Sequence, residues 1–166
     1  ATFAALKVFI DNLRWQHVPF YLKTGKFMKE RGTLIYIQFE EAPGIIFEQG
    51  AALQPNHLVI SIQPNEGFYL TLNAKKPGSM DMVQVKMDFC HSCIFGANTA
   101  EAYETLLENV LAGDQSVFVR SDEVEESWRL ISKIIDKKHT MRSYAKGSYP
   151  SHADRFISKD KRKWFF

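Results

Sequence analysis

The fold of this chain is decided by the stretch HLVISIQPNEGFYLTLN, residues 57–73, which holds two strand-forming segments around a short turn. Residues 57–63 and 67–73 are rich in β-branched and aromatic side chains, which are typical of β-strands. Between them, QPNEG (63–67) concentrates Pro, Asn and Gly, the residues that favour a hairpin turn. The stretch therefore predicts two antiparallel strands joined by a tight connection.

Two further segments extend this hairpin into a sheet. TLIYIQF (33–39) has the same strand-forming composition. In VQVKMDF (83–89), apolar residues alternate with Gln84, Lys86 and Asp88, which is the period of two expected for a sheet that is wet on one face. We therefore expect a mainly antiparallel sheet whose other face is covered.

After residue 97 the spacing of apolar side chains changes and indicates two helices. The first ends before Gly113, which is a common helix stop, and its apolar residues recur at helical spacing. These residues are Ala102, Leu106, Leu107, Val110 and Leu111. The second begins near Ser121, with acidic first turns and lysines in the last turns that suit the helix dipole. Its apolar stripe, predicted to pack against the sheet, consists of Val124, Trp128, Ile131 and Ile135.

Strands followed by helices indicate an α+β fold, with a large, mainly antiparallel β-sheet and helices packed on one face. The chain has 166 residues, of which 45% are hydrophobic and 13% aromatic, so we expect a single domain over residues 1–166. Twenty-one basic side chains against nineteen acidic ones give a charge of +2, which is too small to indicate a nucleic-acid partner.

The sequence has no run of roughly 18 apolar residues, so a membrane partner is not expected. It also contains no GxGxxG turn, Walker loop, GxSxG motif or HExxH motif, and its five histidines lack ligand spacing. Independent catalysis by this chain is therefore not predicted.

The two cysteines lie in CHSC (90–93), which has the CxxC spacing of a zinc half-site or a redox pair. A structural zinc site needs four ligands and the sequence holds no second pair, so we predict no metal site. We interpret Cys90 and Cys93 as reduced thiols in the loop after the strand that ends near Phe89. Two cysteines this close cannot staple a fold, which indicates a reducing, cytoplasmic setting.

The segment VPFYLKTGKFMKER (18–31) has the residue types of an anion site. Gly25 allows a close approach or a sharp turn, while Lys26 offers a point charge and Arg31 a planar fork, a pairing suited to a phosphate or a sugar phosphate. Composition alone favours an ordinary strand end followed by a basic turn. The role of Gln63 also stays undecided on composition alone, since its side chain can donate to a hydroxyl or cap its strand.

Seven blocks, spread over nearly the whole chain, occur in a characteristic order. They are TFAALKVFIDNLRW (2–15), VPFYLKTGK (18–26), LVISIQPNEG (58–67), KKPG (75–78), AYETLL (102–107), GDQSVFVRSDEVEESWR (113–129) and GSYPSHAD (147–154). As a set they resemble the C-terminal β+α domain of the glucose-6-phosphate dehydrogenases, far more specifically than any single block. The resemblance implies a large antiparallel sheet with helices on one face.

The resemblance also implies an activity. The family oxidises glucose 6-phosphate at C1 to the lactone, passes the hydride to NADP and belongs to the pentose phosphate pathway. Its NADP-binding Rossmann-type domain, catalytic histidine and orienting carboxylate lie upstream of this segment. The chain starts at Ala1, which we interpret as the edge of a longer protein, so we expect it to contain no catalytic and no cofactor-binding residue.

Three positions match substrate-side residues of the family. Lys26 matches the lysine of the TGK motif that contacts the sugar phosphate, Arg31 matches a nearby substrate-side arginine, and Gln63 matches the glutamine of the QP(D/N)EG block. The implied partners are glucose 6-phosphate and a second copy that pairs through the sheet. The alternative is a noncatalytic module for sheet-mediated dimerisation or binding.

Several positions that depart from the family pattern indicate which members of the family this chain is most similar to. Animal members hold a second, structural NADP with basic residues at positions that read Gly32, Tyr36 and Ser61 here. Only Lys23 keeps a charge, so this second site is expected to be absent and the chain is more similar to bacterial members. The family's GSxGP block reads GSYP (147–150), which is one glycine short.

Overall fold

The structure, a computed structural model, describes residues 2–41, 54–96, 102–137 and 139–165. Its residues divide into two compact units, one made of Ala1–Ile94 with Tyr144–Phe166 and the other of Phe95–Ser143. The first unit contains antiparallel sheets and a C-terminal helix, and the second contains the two longest helices. These elements confirm the predicted α+β fold class.

The strands are β1 (Phe3–Val8), β2 (Phe20–Gly25), β3 (Thr33–Gln38), β4 (His57–Gln63), β5 (Gly67–Lys75) and β6 (Met82–Cys90). The helices are α1 (His91–Phe95), α2 (Ala102–Ala112), α3 (Ser121–Ile135) and α4 (Ser151–Ser158). Strands β3 to β6 form a four-stranded antiparallel sheet in chain order, and β1 pairs with β2 in a separate sheet. The predicted hairpin is confirmed, with Ser61 of β4 opposite Gly67 of β5.

The register gives the four-stranded sheet one continuous apolar face. Leu58 of β4 lies between Ile37 of β3 and Leu70 of β5, which in turn opposes Met87 of β6. Opposed residues share a face because side chains alternate along each strand. Its apolar residues are Ile35, Ile37, Leu58, Ile60, Phe68, Leu70, Leu72, Ala74, Val83, Val85, Met87 and Phe89. Six of these side chains are 38–54% exposed, so much of this face is open to solvent, where the sequence predicted a covered one.

The opposite face of this sheet is covered by the end of the chain. Phe165 stacks on the Tyr36 ring at a centroid distance of 4.8 Å and also contacts the rings of His57 and Tyr69. Val59, at the middle of the same face, is almost fully buried. The aromatic rings of three adjacent strands therefore receive the C-terminal segment.

Helix α4 holds the C-terminal segment in the first unit. Its Ala153 and Ile157, one turn apart, are among the few fully buried apolar residues of the described chain. Trp164 donates from Nε1 to the Ala153 carbonyl at 3.0 Å, and the Lys23 ammonium of β2 lies 4.9 Å from the Trp164 ring centre. The helix and the aromatic residue after it thus pack beside β2.

The second unit contains α2 and α3. As predicted, α2 ends at Gly113, which has a φ of 71°, and the Asp114 N–H closes the helix by donating to the Asn109 carbonyl at 2.9 Å. Helix α3 begins at the predicted Ser121. The apolar stripe of α3 is 40–64% exposed, so its packing remains a prediction. No helix in the described residues is long and apolar enough to cross a bilayer.

The structure corrects the interpretation of the cysteines. Cys90 is the last residue of β6 rather than part of a loop, and Cys93 lies in the first turn of α1. The two are joined by a disulfide, so the prediction of two reduced thiols is wrong. The helical turn that follows the strand brings their Cα atoms to 5.2 Å, within the span that a disulfide bridges.

A carboxylate ties the turn after α4 to the two-stranded sheet. Lys7 of β1 and Tyr21 of β2 both donate to the Asp160 Oδ2 atom, at 2.8 and 2.7 Å. The hydrogen bond from Lys7, followed by the one from Tyr21, lowers the pKa of Asp160 below its ordinary value of 3.8. The same hydrogen bond raises the pKa of Lys7 above 10.5. The interaction therefore stabilises the fold at pH values between the lowered pKa of Asp160 and the raised pKa of Lys7, where both groups are charged.

We expect Asp160→Asn to be less stable than the wild type at about pH 7, with a difference that shrinks as the pH falls towards about 3. The sign follows from the lowered pKa, because the contribution is present above the unfolded-state pKa and lost as the pH falls through the folded-state one. Urea unfolding across this range measures it. A double-mutant cycle with Lys7→Met isolates the ion pair, and a difference that stayed constant down to about pH 2 would contradict the account.

Candidate anion-binding site

The three residues predicted to bind substrate lie at strand ends of the first unit. Lys26 directly follows β2, and Arg31 is separated from the start of β3 by one residue, Gly32. Thr33, the first residue of β3, is paired with Gln63, the last residue of β4, so Arg31 and Gln63 lie at the same end of this strand pair. Leu34 lines a shallow cleft of about 310 Å³ together with residues of β1 and β2. The start of β3 is therefore beside β2, from which Lys26 emerges.

The backbone of Lys26 is held from both sides. Its N–H donates to the Thr2 carbonyl at 2.8 Å, and its carbonyl accepts a hydrogen bond from the Tyr144 hydroxyl at 2.6 Å. The next carbonyl, that of Phe27, accepts from the Gly147 N–H at 2.8 Å. Two residues of the distant 144–147 segment thus fix the start of the basic connection, so Lys26 projects from an ordered backbone rather than a free loop.

Gly25 is required by close packing at the end of β2. A Cβ atom there would lie 2.6 Å from Met28 Sδ and 2.8 Å from the Phe3 ring, both far inside contact distance. Met28 therefore folds back over the strand end, against the cross-strand neighbour Phe3. Gly25 is the last residue of β2 and pairs with Phe3, so the structure shows close packing here, and the two roles that the sequence left open for Gly25 stay predictions.

A second glycine and a bulge shape the Arg31 end of the site. A Cβ atom at Gly32 would come within 3.3 Å of the Gln63 carbonyl oxygen, so the backbones of the two strands approach closely there. The register shifts between Thr33 and Leu34, which leaves Ile62 of β4 as an extra residue. Bulges re-aim neighbouring side chains, and Gln63 is the residue that follows this one.

The side chains of Lys26, Arg31 and Gln63 are all exposed. In the part of the chain that the structure describes, none of the three makes a side-chain hydrogen bond or an ion pair. The connection between β2 and β3, residues 26–32, holds three basic residues, Lys26, Lys29 and Arg31, but a single carboxylate, Glu30. This segment therefore carries a net positive charge on an anchored backbone, which is the electrostatic requirement of an anion site.

Lys23, three residues before Lys26 and within β2, is already engaged by other side chains. Its ammonium lies over the rings of Tyr149 and Trp164, at 5.1 and 4.9 Å from their centres. Burial lowers the pKa of Lys23, and the Asp154 carboxylate opposes that shift in part. Lys23 therefore holds the C-terminal segment, whereas Lys26 is available to a ligand.

This arrangement suits recognition rather than bond breaking. A guanidinium can grip two phosphoryl oxygens at once, an ammonium adds a point charge, and a carboxamide both donates to and accepts from sugar hydroxyls. Within residues 2–41, 54–96, 102–137 and 139–165, no group of three side chains is placed to hold a metal ion. The sequence did not predict that Tyr144 and Gly147 anchor the site. Its only signal was an aromatic residue in a segment rich in turn-forming residues.

Comparison with known proteins gives consistent matches. The family described as glucose-6-phosphate dehydrogenase, C-terminal domain, matches residues 1–165. The glucose-6-phosphate 1-dehydrogenase of Bacillus subtilis (strain 168) is 42% identical over 171 residues, covering 99% of this chain and 35% of that protein. The enzyme of the same name from Chlamydia trachomatis is 40% identical over 173 residues, covering 98% of this chain and 39% of that protein.

Solved structures agree with these matches. A crystal structure of glucose-6-phosphate 1-dehydrogenase from Mycobacterium avium superposes with a TM-score of 0.81 at 29% identity. A glucose-6-phosphate dehydrogenase in complex with its substrate glucose 6-phosphate superposes with a TM-score of 0.84 at 32% identity. Each comparison covers 99% of this chain but 35% of the other, so the chain spans about a third of the length of its relatives.

Proposed function

The chain belongs to the family of glucose-6-phosphate dehydrogenase C-terminal domains, and on that premise we propose that residues 1–166 form the substrate-side domain of such an enzyme. The complete protein would oxidise glucose 6-phosphate to 6-phosphogluconolactone with NADP, in the cytoplasm and as part of the pentose phosphate pathway. An N-terminal coenzyme domain would bind the NADP and supply the catalytic residues. This chain alone would then be inactive.

Within that enzyme, Lys26 and Arg31 hold the phosphoryl group and Gln63 contacts a sugar hydroxyl. The observation that carries this proposal is the pairing of free, exposed cationic side chains with a backbone fixed by Thr2 and Tyr144. Fixing the phosphoryl end of the substrate orients C1 towards the nicotinamide, so that hydride transfer starts from an aligned complex. The chain's contribution is binding and orientation, and the cofactor supplies the redox chemistry.

A second, structural NADP does not fit this chain. Tyr36 and Ser61 stand where basic residues would be needed, and the Tyr36 ring is already stacked by Phe165. Lys23, the one charged residue kept, is engaged with the rings of Tyr149 and Trp164. The proposed enzyme therefore uses NADP only as the coenzyme of the other domain.

The apolar face of the four-stranded sheet supports a dimer. That face presents twelve apolar residues, of which six are 38–54% exposed, which is unusual for a surface that meets only water. A second copy offers the same flat, apolar surface, and a two-fold axis would bury both at once. The alternative function, a noncatalytic dimerisation module, rests on the same face. It differs in predicting a dimer that gains no dehydrogenase activity when joined to the coenzyme domain.

We expect Lys26→Met and Arg31→Met, made in the complete enzyme, each to raise the KM for glucose 6-phosphate by roughly 10-fold to 100-fold. Loss of a hydrogen bond to a charged group costs about 1.5 to 3 kcal/mol, and kcat should change much less because the chemical step lies elsewhere. Steady-state kinetics measure both constants. Lys29→Met, an exposed lysine of the same connection, is the matched control. A KM for Lys26→Met equal to that of the control would remove Lys26 from the site.

We expect Met87→Glu to convert the dimer into a monomer, because it places a charge at the middle of the apolar face where a second copy would bury it. Sedimentation velocity at several protein concentrations measures the change. Gln84→Glu, on the opposite face of the same strand, is the control and should remain dimeric. If both variants sediment like the wild type, the interface lies elsewhere.

A further inference from the structure

The CHSC turn, residues 90–93, is a chemically reactive feature that the proposed function leaves unused. Cys90 and Cys93 are the only cysteines of the chain, and both lie in the described residues. They are joined to each other, with Cys90 partly buried at the end of β6 and Cys93 exposed in α1. An exposed sulfur next to a shielded one is the arrangement in which an outer cysteine meets a reagent and an inner cysteine resolves the product.

Two hydrogen-bonding groups lie close to the Cys90 sulfur. The Cys93 N–H donates to Cys90 Sγ at 3.2 Å, and the Ser92 hydroxyl lies 3.6 Å from the same sulfur. Donors at these distances can stabilise the negative charge that develops on Cys90 Sγ when an external thiolate attacks Cys93 and opens the disulfide. The inner sulfur is therefore placed to act as the leaving group of an exchange.

The turn is also bonded directly to the hairpin that carries Gln63. Cys90 is paired with Gly67, and the next residue, His91, donates from its N–H to the Glu66 carbonyl at 3.1 Å. The contact is tight, since a Cβ atom at Gly67 would lie 2.4 Å from the Phe89 carbonyl oxygen. The backbone around Cys90 is therefore bonded directly to Glu66 and Gly67.

We propose that Cys90 and Cys93 form a reversible dithiol–disulfide site that exchanges with small-molecule disulfides of the glutathione type. The state of this site would change the backbone of the hairpin between β4 and β5. The Cys93 thiolate attacks one sulfur of the external disulfide, forming a mixed disulfide and releasing one small thiol. The Cys90 thiolate then attacks Cys93 Sγ, closing the intramolecular bond and releasing the second thiol. Two protein thiols are oxidised, one external disulfide is reduced to two thiols, and the two protons pass to those leaving thiolates. Any effect of this site on substrate binding through Gln63 rests on the proposed function. The thiol–disulfide exchange is independent of that function.

The exchange is tested on the chain itself. After equilibration at several ratios of reduced to oxidised glutathione, the protein is quenched in acid, its thiols are alkylated and its intact mass is measured. We expect the closed and open forms to interconvert with the ratio, in either direction of approach. Cys90→Ser should trap a stable mixed disulfide on Cys93, whereas Cys93→Ser should react more slowly because its remaining sulfur is shielded. A pair that stays open at every ratio, or that stops at the mixed disulfide in the wild type, would overturn the proposal.

The link to the hairpin has a separate readout that does not depend on activity. Amide hydrogen exchange is compared between the closed and open forms, and we expect faster exchange in the open form at His91 and Gly67. Strand β3 and the β1–β2 sheet serve as internal controls and should not change. Unchanged protection at His91 and Gly67 would show that the disulfide does not act on the hairpin and would overturn that part of the proposal. Neither result bears on whether the complete enzyme oxidises glucose 6-phosphate.

Discussion

The candidate site depends on one hydrogen bond, from the Tyr144 hydroxyl to the carbonyl of Lys26. Together with the bond from the Lys26 N–H to Thr2, it joins three parts of the chain that are far apart in sequence. A lysine on a free loop loses much of its binding energy to the entropy of being ordered, whereas one on a fixed backbone has only its side chain left to order. The placement of positive charge at the end of β2 is therefore a consequence of where the C-terminal segment docks.

The same docking gives the four-stranded sheet two different faces. On one face, the rings of Tyr36, His57 and Tyr69 receive Phe165, and Asp160 is held by Lys7 and Tyr21 on the neighbouring sheet. The other face is apolar across all four strands and carries no charged residue. The chain thus covers with its own C-terminus the face that has polar and aromatic partners. The apolar face is left for association.

The sequence predicted those elements whose signal is local. Strand β4 and the hairpin after it follow from β-branched residues around Pro, Asn and Gly, and α3 follows from acidic residues at its start and lysines at its end. Helix α4 was not predicted, because only its Ala153 and Ile157 are buried and a stripe of two residues is too short to show a period. Its stability comes from packing, which the local pattern does not encode.

The site was predicted in part for the same reason. Lys26, Arg31 and Gln63 could be proposed from residue type and family resemblance, but their supports are long-range. The bulge at Ile62 and the anchoring by Tyr144 both depend on residues brought together by the fold. The disulfide was missed for a local reason: CxxC spacing is compatible with reduced thiols and with a disulfide, and the sequence did not show that the helical turn after β6 brings the two Cα atoms within bridging distance.

The most direct measurement of the central claim is a crystal structure of the complete enzyme with glucose 6-phosphate bound. The account predicts phosphoryl oxygens within about 3 Å of both Lys26 Nζ and the Arg31 guanidinium, with the Lys26 carbonyl still bonded to Tyr144. A phosphoryl group bound by other cations, with Lys26 and Arg31 both in solvent, would contradict it.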